Sequence, residues 1–368
     1  MSTSYEKLII AGALALGLGI VLTPLAKRFA YIVGAIDVPK DARRMHKVPI
    51  PRLGGLAIFF GFITSVLIFA NITTQIRGIL IGAVIMVFIG VLDDIKPLHA
   101  ALKFVIQIIA ALVAVAHGVV IEAFSNPFLF LAPEYLHLKS FSIPMTVFWI
   151  VAITNAINFI DGLDGLAVGV STISAVFVLV ISLMVSDDLN VALVMAALTG
   201  ACLGFIPYNF NPAKIFMGDS GALLLGYVLS TISIHGLFKF YTVMSFTAPF
   251  LVLALPLFDT SFAFFRRLLK GQKPWTPDRG HLHHRLIDLG LSQKQAVIIL
   301  YAISGVSGLA AIIAATNDEI SAFKLMGILL LVTIIFFIVY KYKGDPSTIA
   351  RKGENPVASV PDSEGRNE

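Results

Sequence analysis

Apolar runs long enough to cross a bilayer recur along this chain from residue 8 to residue 340, with no long polar break between them. A membrane helix needs about 20 mostly apolar residues. By that measure the sequence predicts eleven spans, at 8–26, 53–70, 76–92, 100–120, 142–160, 166–185, 191–207, 221–236, 246–265, 295–315 and 323–340. The expected class is therefore all-α, a polytopic membrane protein with one body over residues 1–342. The tail, 343–368, is rich in Gly, Pro, Ser and charge without apolar periodicity, and is expected to be disordered. Charged residues make up 13% of the chain against about a quarter in soluble domains, too few for a surface facing water. A soluble globular protein is excluded. The single cysteine, Cys202, lies in an apolar run, which leaves no disulfide framework and no cysteine metal site.

The net charge of +5 could suggest nucleic acid in a soluble chain, but here the charges must first be placed about the bilayer. Of the 27 Lys and Arg residues, 22 fall in one set of loops and the tail and 5 in the other. Basic loops favour the cytoplasm, so the N-terminus is expected outside and the C-terminus inside, with no nucleic-acid partner. The first run is expected to be a permanent span and not a cleavable signal, because Glu6 and Lys7 cancel before it and Lys27 with Arg28 follow it. The outer loop 122–141 is expected to lie along the membrane surface.

Carboxylates at membrane depth are costly and call for an explanation. Asp37, Asp41, Asp93, Asp94, Asp161, Asp164, Asp219, Asp278 and Asp288 all fall in inner loops or at inner ends of spans, and Asp259 lies inside the ninth span. The chemistry is expected at the cytoplasmic face.

Four motifs and one weaker segment build it. GVLDDIKPL sets Asp93 beside Asp94, with Lys103 following; such a pair needs a cation or hydrogen bonds to offset its repulsion, or is simply a solvated helix end. In NAINFIDGLDGLAVG, Asn155, Asn158, Asp161 and Asp164 recur every three residues, a 60° drift per step that gives one polar helix face. Gly162 and Gly165 then release the chain from the helix. In YNFNPAKIFMGDSG, Asn209 and the aromatic Phe216 precede Asp219 at the start of a helix. There a carboxylate suits a phosphate-bound divalent cation and the amides suit phosphate oxygen, the alternative being a plain N-cap. RRLLKGQKPWTPDRGHLHHRL carries Arg279 and the histidines His281, His283 and His284. Its cations would repel a metal, so hydrogen bonding to phosphate is favoured. DVPKDARRMHKVPIPRLGG adds Arg43, His46 and Arg52 as further anion-binding groups.

DDIKPL, NAINFIDGLDGLA, FMGDSG and HLHH, in this order after PRLGG, resemble the polyprenyl-phosphate N-acetylhexosamine-1-phosphate transferases, glycosyltransferase family 4. Within them the histidine segment resembles the bacterial enzymes that initiate teichoic acid and O-antigen units more than the phospho-MurNAc-pentapeptide transferase. The resemblance implies transfer of GlcNAc-1-phosphate from a UDP-N-acetylhexosamine to undecaprenyl phosphate, releasing UMP, with Mg2+ or Mn2+ in its place. It implies a multi-pass enzyme of the inner (cytoplasmic) membrane, in contact with membrane lipid, and a homodimer is one possibility. By the same match Asp219 and Asn158 would hold the metal, and Asp93, Asp94 and Lys103 would lie by the lipid phosphate. Asn209 and Phe216 would hold uracil, Asp161 and Asp164 would line the nucleotide side, and the histidines would grip diphosphate or sugar. An ion-coupled transporter is the alternative from another class, but its acids would sit at mid-membrane between repeated halves. An intramembrane metalloprotease would need HExxH or a comparable pair of helical histidines.

Overall fold

The computed structural model of the protein describes residues 2–39, 48–125, 135–185, 189–238, 247–269, 271, 280–316 and 324–328. The chain divides after Met326, and the fold below is that of the first unit. The described residues form α1 (Ser2–Val33), α2 (Gly54–Phe69), α3 (Thr74–Ile95), α4 (Ala100–Ala116), α5 (Ser142–Ile160), α6 (Leu166–Val185) and α7 (Asn190–Asn209). There follow α8 (Gly218–Ile232), continued by a π-helical turn Ser233–Phe238, then α9 (Thr247–Val252), α10 (Ala254–Leu269), α11 (Leu282–Asp288) and α12 (Gln293–Ala315). Six of these helices are long and apolar enough to cross a membrane, and α2 and α4 are shorter apolar helices. The chain is thus an all-α protein of the membrane class. The last expected span and the tail lie outside the described residues apart from a short helical stretch at 324–328.

Where structure and expectation differ, the cause is local. The expected ninth span is two helices, because Pro256 has no N–H to give the carbonyl of Val252, the last residue of α9. The histidine segment, expected as a loop, winds into the short helix α11. Two small antiparallel pairs accompany the helices. β1 (Ile36–Asp37) pairs with β2 (Ile50–Pro51) before α2, and β3 (Ala123–Ser125) with β4 (Tyr135–His137) between α4 and α5.

The core is centred on α8, which packs on α2, α3, α5 and α6. Of its 15 residues, 14 are buried; the exception is Asp219, in its first turn. A helix apolar all round belongs inside a bundle, and its few polar groups are satisfied locally: Tyr227 donates to the Ala110 carbonyl at 3.2 Å and Thr231 to that of Tyr227 at 2.7 Å. α7 is likewise interior, whereas α1 turns most of its surface outward. The fold therefore anchors the start of α8, and with it Asp219, to the core.

Candidate active site

Gly218 turns the chain into α8 at φ +73°, a left-handed conformation that favours glycine, and a Cβ there would run into the Arg52 carbonyl and the Asp94 carboxylate. Asp94 accepts from the backbone amides of Asp219 at 2.9 Å and Ser220 at 3.0 Å, and its Oδ1 also meets Arg52 Nε at 3.3 Å. The α8 amides that the sequence suggested for phosphate are thus occupied by a protein carboxylate. Asp94 has no exposed side-chain surface, whereas Arg52 is 26% exposed and lines the cavity described below. The neighbouring Asp93 takes a different part. It accepts from the Leu98 amide at 2.7 Å, and the Lys103 ammonium bridges Asp93 Oδ2 at 3.1 Å and Asp219 Oδ2 at 2.9 Å. Lys103 thus lies between the Asp93 and Asp219 carboxyl groups, while the Asp93-Asp94 repulsion that the sequence flagged is met by separate partners, Lys103 for Asp93 and Arg52 with two α8 amides for Asp94.

A cavity of about 620 Å³ opens beside this point, within the usual range for small-molecule sites. Arg52, Asn158, Asp161, Asp164, Asn209, Phe216, Asp219 and His284 all line it. Its walls are loops tied by side chains. Asp164 accepts from Asn211 Nδ2 at 2.9 Å and from the Ala213 amide at 3.0 Å, holding the segment after α7. Asn209 spends both ends of its amide on the frame, accepting from the Gly165 amide at 3.1 Å and donating to the Ile215 carbonyl at 3.0 Å. Phe216 is pinned through its backbone, donating to the Pro51 carbonyl at 2.8 Å and accepting from the Gly54 amide at 3.0 Å. Burial, followed by the charges of Asp219 and Asp94, pushes the Asp161 carboxyl up to about 8 against the pull of Arg52.

The histidines form a stacked row. His281 and His283 rings lie 5.8 Å apart and nearly parallel, and His284 follows at 4.3 Å from His283. Only His284 of the three lines the cavity. His283 is 2% exposed, and burial, helped by the neighbouring His284 charge, lowers it to about 4, so it is neutral near pH 7. Its Nε2 sits where a Cβ on Gly162 would be, so the bare glycine lets the row approach the loop. Asp259 of α10 holds the start of α11: Oδ1 accepts from the Leu282 amide at 2.7 Å and Oδ2 meets His281 Nδ1 at 2.9 Å.

Asn155 stands one helical turn deeper than Asn158 and pairs with Gln107 at 2.6 Å instead of facing the cavity. Arg43, His46 and Arg279 lie outside the described residues. Sequence reasoning passed over Asn211 and Gln293, which bond at 2.6 Å on the cavity wall, and left Asp259 without a role. A carboxylate inside an apolar run was the signal for Asp259; a glutamine opening a helix offered none for Gln293.

Among the described residues no group of three or more His, Cys, Asp or Glu side chains could hold a metal alone. Asp219 and Asn158, which line the same cavity, nevertheless suit a hard cation that takes one or two protein oxygens and fills its other positions with phosphate and water.

Comparison with known proteins agrees with this picture. The sequence profile of glycosyl transferase family 4 matches residues 76–237. The chain is 42% identical over 308 residues to a protein of Bacillus subtilis (strain 168) named as a probable undecaprenyl-phosphate N-acetylglucosaminyl 1-phosphate transferase, covering 83% of this chain and 85% of the relative. It is 36% identical over 343 residues to the decaprenyl-phosphate N-acetylglucosaminephosphotransferase of Mycolicibacterium smegmatis, covering 86% and 83%. With the undecaprenyl-phosphate alpha-N-acetylglucosaminyl 1-phosphate transferase of Escherichia coli (strain K12) it shares 29% identity over 322 residues, covering 86% and 85%.

Proposed function

The chain belongs to glycosyl transferase family 4, among its polyprenyl-phosphate N-acetylglucosamine-1-phosphate transferases, and from that premise we propose how its cavity works. The enzyme transfers GlcNAc-1-phosphate to a polyprenyl phosphate. The donor is UDP-GlcNAc and the acceptor undecaprenyl phosphate. An acceptor phosphate oxygen attacks the sugar-linked phosphorus, the bond from that phosphorus to the bridging oxygen breaks, and UMP leaves with the electron pair. The observation that carries this reading is that one cavity gathers Arg52, Asn158, Asp161, Phe216 and Asp219 from separate segments at the tip of a buried helix.

Phosphoryl transfer asks a protein mainly to position groups and neutralise charge. Lys103, paired with Asp219, and Arg52, on the same cavity, supply positive charge, each steadied by one acid of the Asp93-Asp94 pair. Neither acid need act as a base, since an acceptor phosphate near neutral pH already carries its negative charge. Phe216 offers a face for the uracil ring, in a loop that Asn209 and Asp164 hold in place. Asp219 and Asn158 would hold magnesium, which when bound would neutralise diphosphate oxygens. The cavity faces the cytoplasm of the inner membrane, the N-terminus lies outside and the spans number eleven; the loop charge split supports this orientation.

Membranes carrying only this protein, given UDP-GlcNAc and undecaprenyl phosphate, should release UMP and make a lipid-extractable GlcNAc product, both stopped by a chelator. UDP-GalNAc and the peptide-bearing UDP-muramyl donor should react poorly. Release that ignores the lipid, or prefers the muramyl donor, would reject the reading. Cysteines placed at Ser125 should react with an impermeant thiol reagent from outside and those at Ser292 should not; the reverse would invert the orientation.

A further inference from the structure

Asn209 commits both ends of its amide to the frame, accepting from Gly165 and donating to Ile215, so the edge of a base must find its partners elsewhere on the cavity wall. Asp164, Asn211 and Gln293 form a hydrogen-bonded chain on that wall. Asp164 Oδ2 accepts from the Ala213 amide at 3.0 Å and from Asn211 at 2.9 Å, which puts the nitrogen of Asn211 on that side. The second N–H of the same Nδ2 reaches Gln293 at 2.6 Å and can be received only by the glutamine oxygen. Each amide is thereby held against a flip. Each also keeps one polar atom, Asn211 Oδ1 and Gln293 Nε2, that meets no partner among the described residues. One acceptor and one donor are thus offered by two side chains bonded to each other. The edge of uracil is complementary, with a donor at N3 and an acceptor at O4, whereas cytosine reverses both, with a bare N3 and an amino group at C4. Phosphate is better served elsewhere, because this wall is neutral amide backed by the Asp164 carboxyl, and the cations stand at Arg52 and Lys103. We propose that Gln293, oriented by Asp164 through Asn211, donates to O4 of the uracil ring while Asn211 accepts from its N3–H, so that the pair selects a uridine over a cytidine nucleotide. This deepens the transferase reading and rests on it for the presence of a nucleotide in the cavity.

Calorimetric titration of UMP and of CMP into the purified protein reads the pair with no sugar or lipid present. The wild type should prefer UMP by about a hundredfold, the upper range for a two-bond base contact. Gln293→Glu keeps an oxygen for Asn211 but puts a second oxygen where the free amide nitrogen was, which opposes O4 of uracil and accepts from the amino group of cytosine. Its charge weakens both nucleotides alike, so the readout is their ratio, which should narrow by about tenfold. Gln293→Met removes the donor without adding charge. It should weaken UMP by about tenfold and leave CMP no weaker than before. In turnover the same variant should raise KM for UDP-GlcNAc about tenfold, with kcat and the KM for undecaprenyl phosphate within about threefold, because the base contact is the same before and during the reaction. A side chain that only braced the wall would weaken UMP and CMP equally. An unchanged ratio in both variants, while UMP still binds, would therefore overturn the proposal and leave the transferase reading standing; equal binding of the two nucleotides by the wild type would do the same. A wild type that binds no UMP would reject the reading itself, and the proposal with it.

Discussion

Asp94 and Asp259 do the same thing at opposite ends of the site, and they do it on supports of different strength. Each is a buried carboxylate on one helix that accepts first-turn amides of another and also meets a basic side chain, Arg52 in one case and His281 in the other. Asp94 docks α8, buried along almost its whole length, whereas Asp259 docks α11, seven residues long and tied further by Arg266 donating to the Gly280 carbonyl at 2.8 Å. Neither acid lines the cavity, yet each holds an element that does. One side of the site is built into the core, and the other is tethered to it.

The largest effect should come from breaking the core-built side. Asp94→Leu strands the buried amides of Asp219 and Ser220, at about 1–3 kcal/mol each, and leaves the partly exposed Arg52 guanidinium without its carboxylate. The thermal midpoint should fall well below that of the wild type and turnover should vanish. A variant as stable as the wild type would mean that Asp94 is not the clasp of α8.

On the tethered side, His283 makes stability depend on pH. Its folded value, about 4, lies below the unfolded 6.5, so the unfolded chain binds more protons between them and stability rises with pH across that window. The contribution is intact above pH 6.5 and is lost as pH falls; at pH 5 the loss is roughly 2 kcal/mol as an order of magnitude. Thermal midpoints from pH 7 to 5 should fall more steeply in the wild type than in His283→Asn; equal slopes would contradict a buried neutral ring.

Gly162→Ala should be milder. The added methyl meets His283 Nε2, and the ring is packed between its neighbours, so the row must shift from the loop. A loss of about tenfold in kcat/KM, the scale of a small displacement in a positioned site, should come with little change in thermal midpoint. If stability falls more than activity, Gly162 serves packing alone.

Much of this was legible because hydropathy and carboxylates at membrane depth both speak directly in a sequence. The start of α8 and the loop at Asp161 could be found from FMGDSG and from the three-residue spacing of Asn158, Asp161 and Asp164. The division of labour between Asp93 and Asp94 could not, since adjacent residues on a helix point about 100° apart and only the packing decides which meets Lys103 and which meets α8. Nor could the link from Asp259 to His281, which depends on how the chain returns after α10. The break between α9 and α10 was signalled by Pro249 and Pro256, but not the residue at which it falls.

The central claim is that Asp219 alone among these acids meets the metal and diphosphate, while Asp93, Asp94 and Asp259 hold the parts around it. Calorimetric titration of UDP-GlcNAc with and without magnesium, on the wild type, Asp219→Asn and Asp93→Asn, tests it directly. Asp219→Asn keeps the shape but removes the charge that balances a cation. It should erase the magnesium-dependent gain in affinity, and with it lower turnover by about a thousandfold, the upper range for loss of one electrostatic group. Asp93→Asn should loosen Lys103 and slow turnover while the magnesium-dependent gain remains. If instead Asp219→Asn binds with undiminished magnesium dependence and Asp93→Asn loses it, the two roles are exchanged and the account of the site is contradicted.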